Sequence, residues 1–159
     1  MTTSKQTSVY IFKVALRDAK RIWRRIALRG DQTLDNLHKA IFEAFDRYDE
    51  HLYSFYFPKT ESRGRDRWRD ATEYAHPYFL EDNLFGERDL HNAAMTRLDE
   101  LNLENKQKFD YLFDFGDSWW HEITVEKTDG EIEKGRYPKI LEKRGDSPPQ
   151  YFEEEDEEE

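Results

Sequence analysis

The sequence predicts an α+β domain of two layers, with one main helix packed on a mostly antiparallel sheet. Three observations carry this reading. Short runs such as VYIFKVAL, KFDYLFDF and SWWHEITVEK alternate apolar and polar residues with the period of a half-buried strand. A single stretch, TLDNLHKAIFEAFD, repeats its apolar residues at helical spacing. The order is strand, strand, helix, strand, insertion, strand, strand, a β-grasp-like ββαβ…ββ arrangement with a long insertion between strands 3 and 4.

In residues 9–16, Tyr10, Phe12, Val14 and Leu16 share one parity. In residues 22–29, Ile22, Ile26 and Leu28 align, but Arg24 interrupts their face and is expected at an edge or bent outward. RDAK between these runs is short enough for an antiparallel hairpin. Gly30 ends the second strand, and Asp31 or Thr33 can cap a helix over roughly residues 33–46. Leu34, Leu37, Ile41 and Phe45 form its apolar stripe, and Asp35 suits its positive end. HLYSFYFP reads as a strand closed by Pro58.

Residues 59–95 have little periodicity and many charges, and read as an insertion with one short strand or helix near 72–80. TRLDELNL is a short helical turn. In the last two strands, Phe109, Tyr111, Phe113 and Phe115 share one parity, as do Trp119, His121, Ile123 and Val125. Gly-Asp-Ser between them suits a tight turn, with Gly116 free to take positive φ. A single domain is therefore expected over residues 8–147, followed by a disordered acidic tail at 148–159.

The chain has no cysteine, which excludes disulfides, thiolate metal sites and a thiol nucleophile. It has no long apolar run, and MTTSKQTSVY carries no secretory core, so a cytoplasmic protein without membrane contact is expected. Charge is uneven. The first thirty residues hold eight basic groups against Asp18, a local +7, which leaves −17 for the remainder of a chain whose net charge is −10. Such asymmetry marks either a basic interaction face or a solvated one.

Two constellations carry possible chemistry. In YLFDFGDSWWHEITVEK, Asp114, Asp117 and His121 are close in sequence and His51 could join them, a donor set that suits a divalent metal. The competing reading has the aspartates bonding to turn amides and His121 packing on Trp119. Asp114-Phe115-Gly116 spells a kinase tripeptide, but no glycine-rich phosphate loop accompanies it. The second constellation is basic and aromatic: Trp23, Arg24 and Arg25 in the hairpin, and Arg63, Arg65, Arg67 and Arg69 on alternate positions of the insertion. Arginine can bind phosphates and tryptophan can stack on bases. Pairing of these arginines with nearby acids is the alternative.

Taken together, IWRRIAL, TLDNLHKAIFEAF, HLYSFYF, YLFDFGDSWWHEITVE and RYPKIL…SPP resemble the plasmid pRiA4b ORF-3-like family, a group of uncharacterised proteins. The resemblance covers most of residues 9–149 outside the insertion, and DFGDSW-x-H is its most specific part. It implies that Trp23, Arg24, Leu37, His38, His51, Asp114, Gly116, Asp117, Trp119 and His121 are family positions. Relatives are sometimes likened to a transposon-associated recombinase, but no Arg, His-x-x-Arg and Tyr pattern of suitable spacing is present here. Many relatives also carry cysteines near the C-terminus, where this chain has Ser147-Pro148-Pro149-Gln150-Tyr151. The expected function is an intracellular binding or adaptor domain without catalysis or cofactor, its partner a protein or a nucleic acid met near the hairpin. The alternative is a hydrolase or nuclease that uses a divalent metal at Asp114, Asp117 and His121.

Overall fold

In the computed structural model, residues 7–59, 70–83, 86 and 88–151 are described. Strands β1 (Val9–Leu16) and β2 (Ala19–Arg29) form the expected hairpin, and α1 (Leu34–Ala44) follows. Then come β3 (Tyr53–Phe57), β4 (Thr72–Ala75), β5 (Leu90–Asn92), β6 (Lys108–Phe113), β7 (Trp119–Gly130) and β8 (Lys139–Arg144). Three short 3-10 turns, Pro77–Asp82, Ala93–Met95 and Leu98–Glu100, connect the smaller strands.

The β-grasp-like, two-layer expectation is overturned. Among the described residues, eight strands join one mixed sheet in the order β5-β4-β3-β6-β7-β1-β2-β8, with a single α-helix. Every pairing is antiparallel except β4 with β5. Three strands account for the difference. β4 and β5, of four and three residues, lie in the span read as an insertion and are too short to show alternation. β8, within RYPKIL and the residues after it, adds an edge strand beside β2. The α1 crossover joins β2 to β3 across β1, β7 and β6, so consecutive strands of the chain are far apart in the sheet.

One face of the sheet is the core. Phe12, Val14, Ile26, Leu28, Tyr53, Phe55, Phe109, Tyr111, Phe113, Ile123 and Val125 are all fully buried on it, as strand parity requires. Helix α1 covers them with Leu34, Leu37, Ile41 and, just past its end, Phe45. Thr33 is the cap: its hydroxyl accepts from Asn36 N at 3.3 Å, and Asn36 Oδ1 accepts from Thr33 N at 2.9 Å. Gly30 permits a close approach, since a Cβ there would stand 2.9 Å from the Tyr10 ring.

Arg24 occupies the apolar face that its parity assigns and does not bend outward. It is 2% exposed, with its guanidinium 4.7 Å over the Phe45 ring. Nε donates to Ala44 O at the end of α1 (2.8 Å), Nη1 to Trp23 O (2.8 Å) and Arg144 O (2.9 Å), and Nη2 to Ser147 Oγ (2.6 Å). The cation thus closes the helix C-terminus, where orphan carbonyls and the negative dipole end favour it. Burial lowers its affinity for the proton, and Asp46 and Asp146 oppose that loss.

The opposite face of the sheet is a charge ladder. Arg25 donates to Glu126 (2.6 Å) and to Glu142, Arg17 to Asp110 (2.9 Å), and Arg144 to Glu142 (2.8 Å). Trp23 lies between Lys13 and Arg25, 4.8 and 4.9 Å from its ring. Replacing Arg24 by methionine should lower the unfolding free energy by about 2–4 kcal/mol, because several buried acceptors lose their donor at once. Arg24→Lys should recover less than half of it, since an ammonium cannot reproduce the fork. Urea unfolding followed by circular dichroism measures both, and a loss below about 1 kcal/mol for methionine would contradict the capping role.

Candidate functional site

Past the end of α1 the chain reverses through Asp46, whose φ is 57°, and residues 47–52 fold back over the start of β3. This reversal, together with His76 at the end of β4, forms an open cleft of about 590 Å³ lined by Asp35, His38, Lys39, Glu50, His51, Leu52 and His76. The first three residues of that lining share one face of the helix by their spacing.

A hydrogen-bonded chain runs inward from the cleft. His38 Nε2 lies 3.0 Å from Glu50 Oε1 and Nδ1 lies 2.6 Å from Tyr111 Oη, while the ring stacks on Tyr53 at 4.0 Å. With Glu50 ionised, one tautomer satisfies both ends: Nε2–H donates to the carboxylate and Nδ1 accepts from the phenol. The His38 bond holds the Glu50 carboxyl below its ordinary range, against the opposing effect of burial. Burial pushes Asp35 up, but the Tyr53 hydroxyl (2.6 Å) and Lys39 outweigh it and leave the carboxyl lowered. Tyr53 and Tyr111 are both pushed up, first by burial, so both remain phenols at neutral pH.

Deeper in, His121 is wholly buried. Its Nδ1 faces Tyr111 O at 3.3 Å and its Nε2 faces Arg47 Nη2 at 2.8 Å. An arginine only donates, so Nε2 is the acceptor and the ring is neutral. Burial, and then Arg47, push its pKa well below the ordinary value. Arg47 is itself sunk among the rings of Phe45, Phe113 and Trp119, and burial pushes its pKa down to about 10.

The residues expected at a site are thus distributed over several places. Asp114 sits in the β6–β7 turn with φ 63°, and Oδ1 accepts from Gly116 N (3.0 Å) and Asp117 N (3.3 Å). Ser118, with φ 55°, is the turn's other left-handed residue, and Gly116 is not one. Asp114 Oδ2 also lies 3.6 Å from His51 Nε2, whereas Asp117 is exposed. The lone pair of His121 Nε2 is taken by Arg47, away from the turn. Among the described residues no group of three or more His, Asp or Glu is placed to hold a metal ion. Trp23 and Arg25 lie on the outer face while Arg24 is in the core, so these neighbours cannot share one binding surface. Arg63, Arg65, Arg67 and Arg69 lie outside the described residues, as does the acidic run 153–159.

Four participants were not singled out from the sequence: Arg47, Glu50, Tyr111 and Gln150. Tyr111 was legible only as a core position. Gln150 is 4% exposed and acts like a backbone strand, accepting from Tyr48 N (2.9 Å) and Asp49 N (3.1 Å) and donating to Asp49 O (2.7 Å). The next residue, Tyr151, has its hydroxyl 2.6 Å from both His51 Nε2 and Asp49 Oδ2.

Residues 8–155 match the family described as plasmid pRiA4b ORF-3-like protein. The chain belongs to this family. An uncharacterized protein, y4hQ of Sinorhizobium fredii (strain NBRC 101917 / NGR234), is 28% identical over 144 residues. That match takes in 90% of this chain and 66% of the relative, so the chain spans just under two thirds of the relative's length. The crystal structure of a protein of unknown function, MM3350, from Methanosarcina mazei Go1 is similar with a TM-score of 0.70 at 25% identity. It covers 92% of this chain and 74% of that one. Among the described residues no helix is long and apolar enough to cross a membrane. Arg24, Leu37, His38, Asp114 and His121, expected from the resemblance to be family positions, are all buried.

The neutral His121 gives a pH signature. Its folded pKa is depressed, so below about pH 6.5 the unfolded chain takes up a proton that the folded one refuses. The contribution is fully present above that pH and is lost as pH falls. Between pH 7.5 and 5.5 the wild type should lose about 1.4 kcal/mol more than His121→Gln, read from urea midpoints at the two pH values. Equal losses would mean that His121 is protonated in the fold.

Proposed function

We propose that the chain is a non-catalytic recognition domain that takes a cationic group of a partner protein, a lysine or arginine side chain, into the cleft beside α1. The observation that carries this reading is the pair of carboxylates, Asp35 and Glu50, on an open cleft where Lys39 is the single basic side chain of the lining apart from histidines. Both carboxyls are held below their ordinary range, so both are charged at neutral pH. Asp49 adds a third acid nearby, 3.5 Å from His51 Nε2. Beneath them the buried ring of His38, stacked on buried Tyr53, fixes the Glu50 carboxylate in place.

The hairpin supports the same choice by elimination. Arg24 is spent on backbone carbonyls, Arg25 on two glutamates, Arg17 on Asp110 and Arg29 on Asp31. A nucleic acid would have to displace these pairs on a protein of net charge −10. A basic partner would exchange only the contacts of Lys39 with Asp35 and of His38 with Glu50, and the protein's net negative charge draws it in.

Fluorescence anisotropy with a labelled octalysine peptide and with a short DNA duplex tests the reading at low and at higher salt. The peptide should bind and the duplex should not. Glu50→Gln and Asp35→Asn should each weaken the peptide about tenfold, whereas Glu104→Gln, on an exposed loop, should leave it unchanged. Equal weakening by all three would reduce the effect to net charge. Duplex binding tighter than peptide binding would sink the proposal.

A further inference from the structure

Behind Trp119 the interior holds a cation with no carboxylate partner. Arg47 is 8% exposed, and its Nη2 donates to the neutral His121. Its Nη1 donates to nothing among the described residues, and neither does Nε1 of Trp119, although both atoms are shielded from solvent. The guanidinium carbon stands 5.3 Å from the Trp119 ring, so these two orphan donors belong to neighbouring groups. Leaving two buried donors unpaired, one of them charged, is costly and points to an acceptor that completes them.

Trp119 also walls a cavity of about 360 Å³, together with Asp18, Asp117, Ser118, Gln150 and Tyr151. It shares none of the lining residues of the cleft beside α1. Its rim presents two exposed carboxylates, Asp18 and Asp117, and the two orphan donors lie covered behind its Trp119 wall, Arg47 standing outside the lining itself. A dianion such as phosphate would meet repulsion at that rim, and a simple amine would leave the donors unpaired. A molecule with a carboxylate and an ammonium a few bonds apart satisfies both ends. The volume is at the small end of the ligand range and suits one compact molecule.

We propose that this cavity binds a small amino carboxylate of the α-amino-acid class, its carboxylate on Trp119 Nε1 and Arg47 Nη1 and its ammonium toward Asp18 and Asp117. Both donors are covered by their neighbours, so the carboxylate reaches them as the Gln150–Tyr151 segment gives way. That segment is held to Tyr48 and Asp49 by three hydrogen bonds of Gln150 and by the Tyr151 hydroxyl.

The test is calorimetric titration of the full chain at pH 7 with each of the twenty standard L-amino acids, and with acetate, inorganic phosphate and methylamine. At least one amino acid should bind saturably with a Kd of about 1 mM or tighter, and the three single-function probes should not. Trp119→Phe keeps the ring and removes the N–H, and should weaken binding at least tenfold. Asp117→Asn alters an exposed side chain that the fold does not need, and should weaken it similarly. Three results would overturn the assignment: no amino acid binds, acetate or phosphate binds as well as any, or Asp117→Asn binds like the wild type.

Discussion

The guanidinium of Arg24 lies where the end of α1, the middle of β2, the end of β8 and the C-terminal segment meet, and its four hydrogen bonds go to one group from each. None of those acceptors is charged, so the interaction is a cation solvated by backbone carbonyls and one hydroxyl. That geometry sets the height of the helix above the sheet. The helix in turn sets where residues 46–52 reverse, and the reversal brings Arg47 beneath Trp119 and Glu50 onto His38. Both clefts are downstream of it.

A second consequence is the separation of charge by face. Along β2 alternate positions diverge: Trp23 and Arg25 join a ladder of ion pairs in water, while Arg24 enters the core. Exposed ion pairs of this kind contribute little each. Their effect is to match Arg17, Lys20, Arg25 and Arg29 with carboxylates, which offsets much of the positive charge of the hairpin.

Much of the skeleton was legible because periodicity reports burial. The first hairpin, α1, β3, β6 and β7 all follow their alternation or helical spacing, and the turn reading of Asp114 follows from aspartate's habit of bonding to nearby amides. What stayed hidden involved partners far apart in the chain. The parity that puts Arg24 inward was visible, but the carbonyls that receive it come from residues 44 and 144. β4 falls where a short strand or helix near 72–80 was expected, but its place is set by pairing with the β3 edge, and β5, unforeseen, is a strand because β4 in turn offers it an edge. His121 was visible as a ring near two aspartates, and its true partner, Arg47, lies 74 positions away. Sequence proximity suggested a cluster that three-dimensional pairing dissolves.

The place of β1 in the sheet has a further meaning for how the protein is made. It is synthesised before the other strands described, yet it lies between β7 and β2 with Leu16 opposite His121. Its second neighbour is therefore synthesised roughly 100 residues later, a delay of roughly 5–20 s at about 5–20 residues per second. Throughout that interval Phe12, Val14 and Leu16 have only the β2 hairpin and the helix beside them, and one edge of the nascent pair is open. The middle of the sheet therefore closes only once β7 has been made, and a nascent chain stalled before residue 119 is a sticky hairpin without its centre.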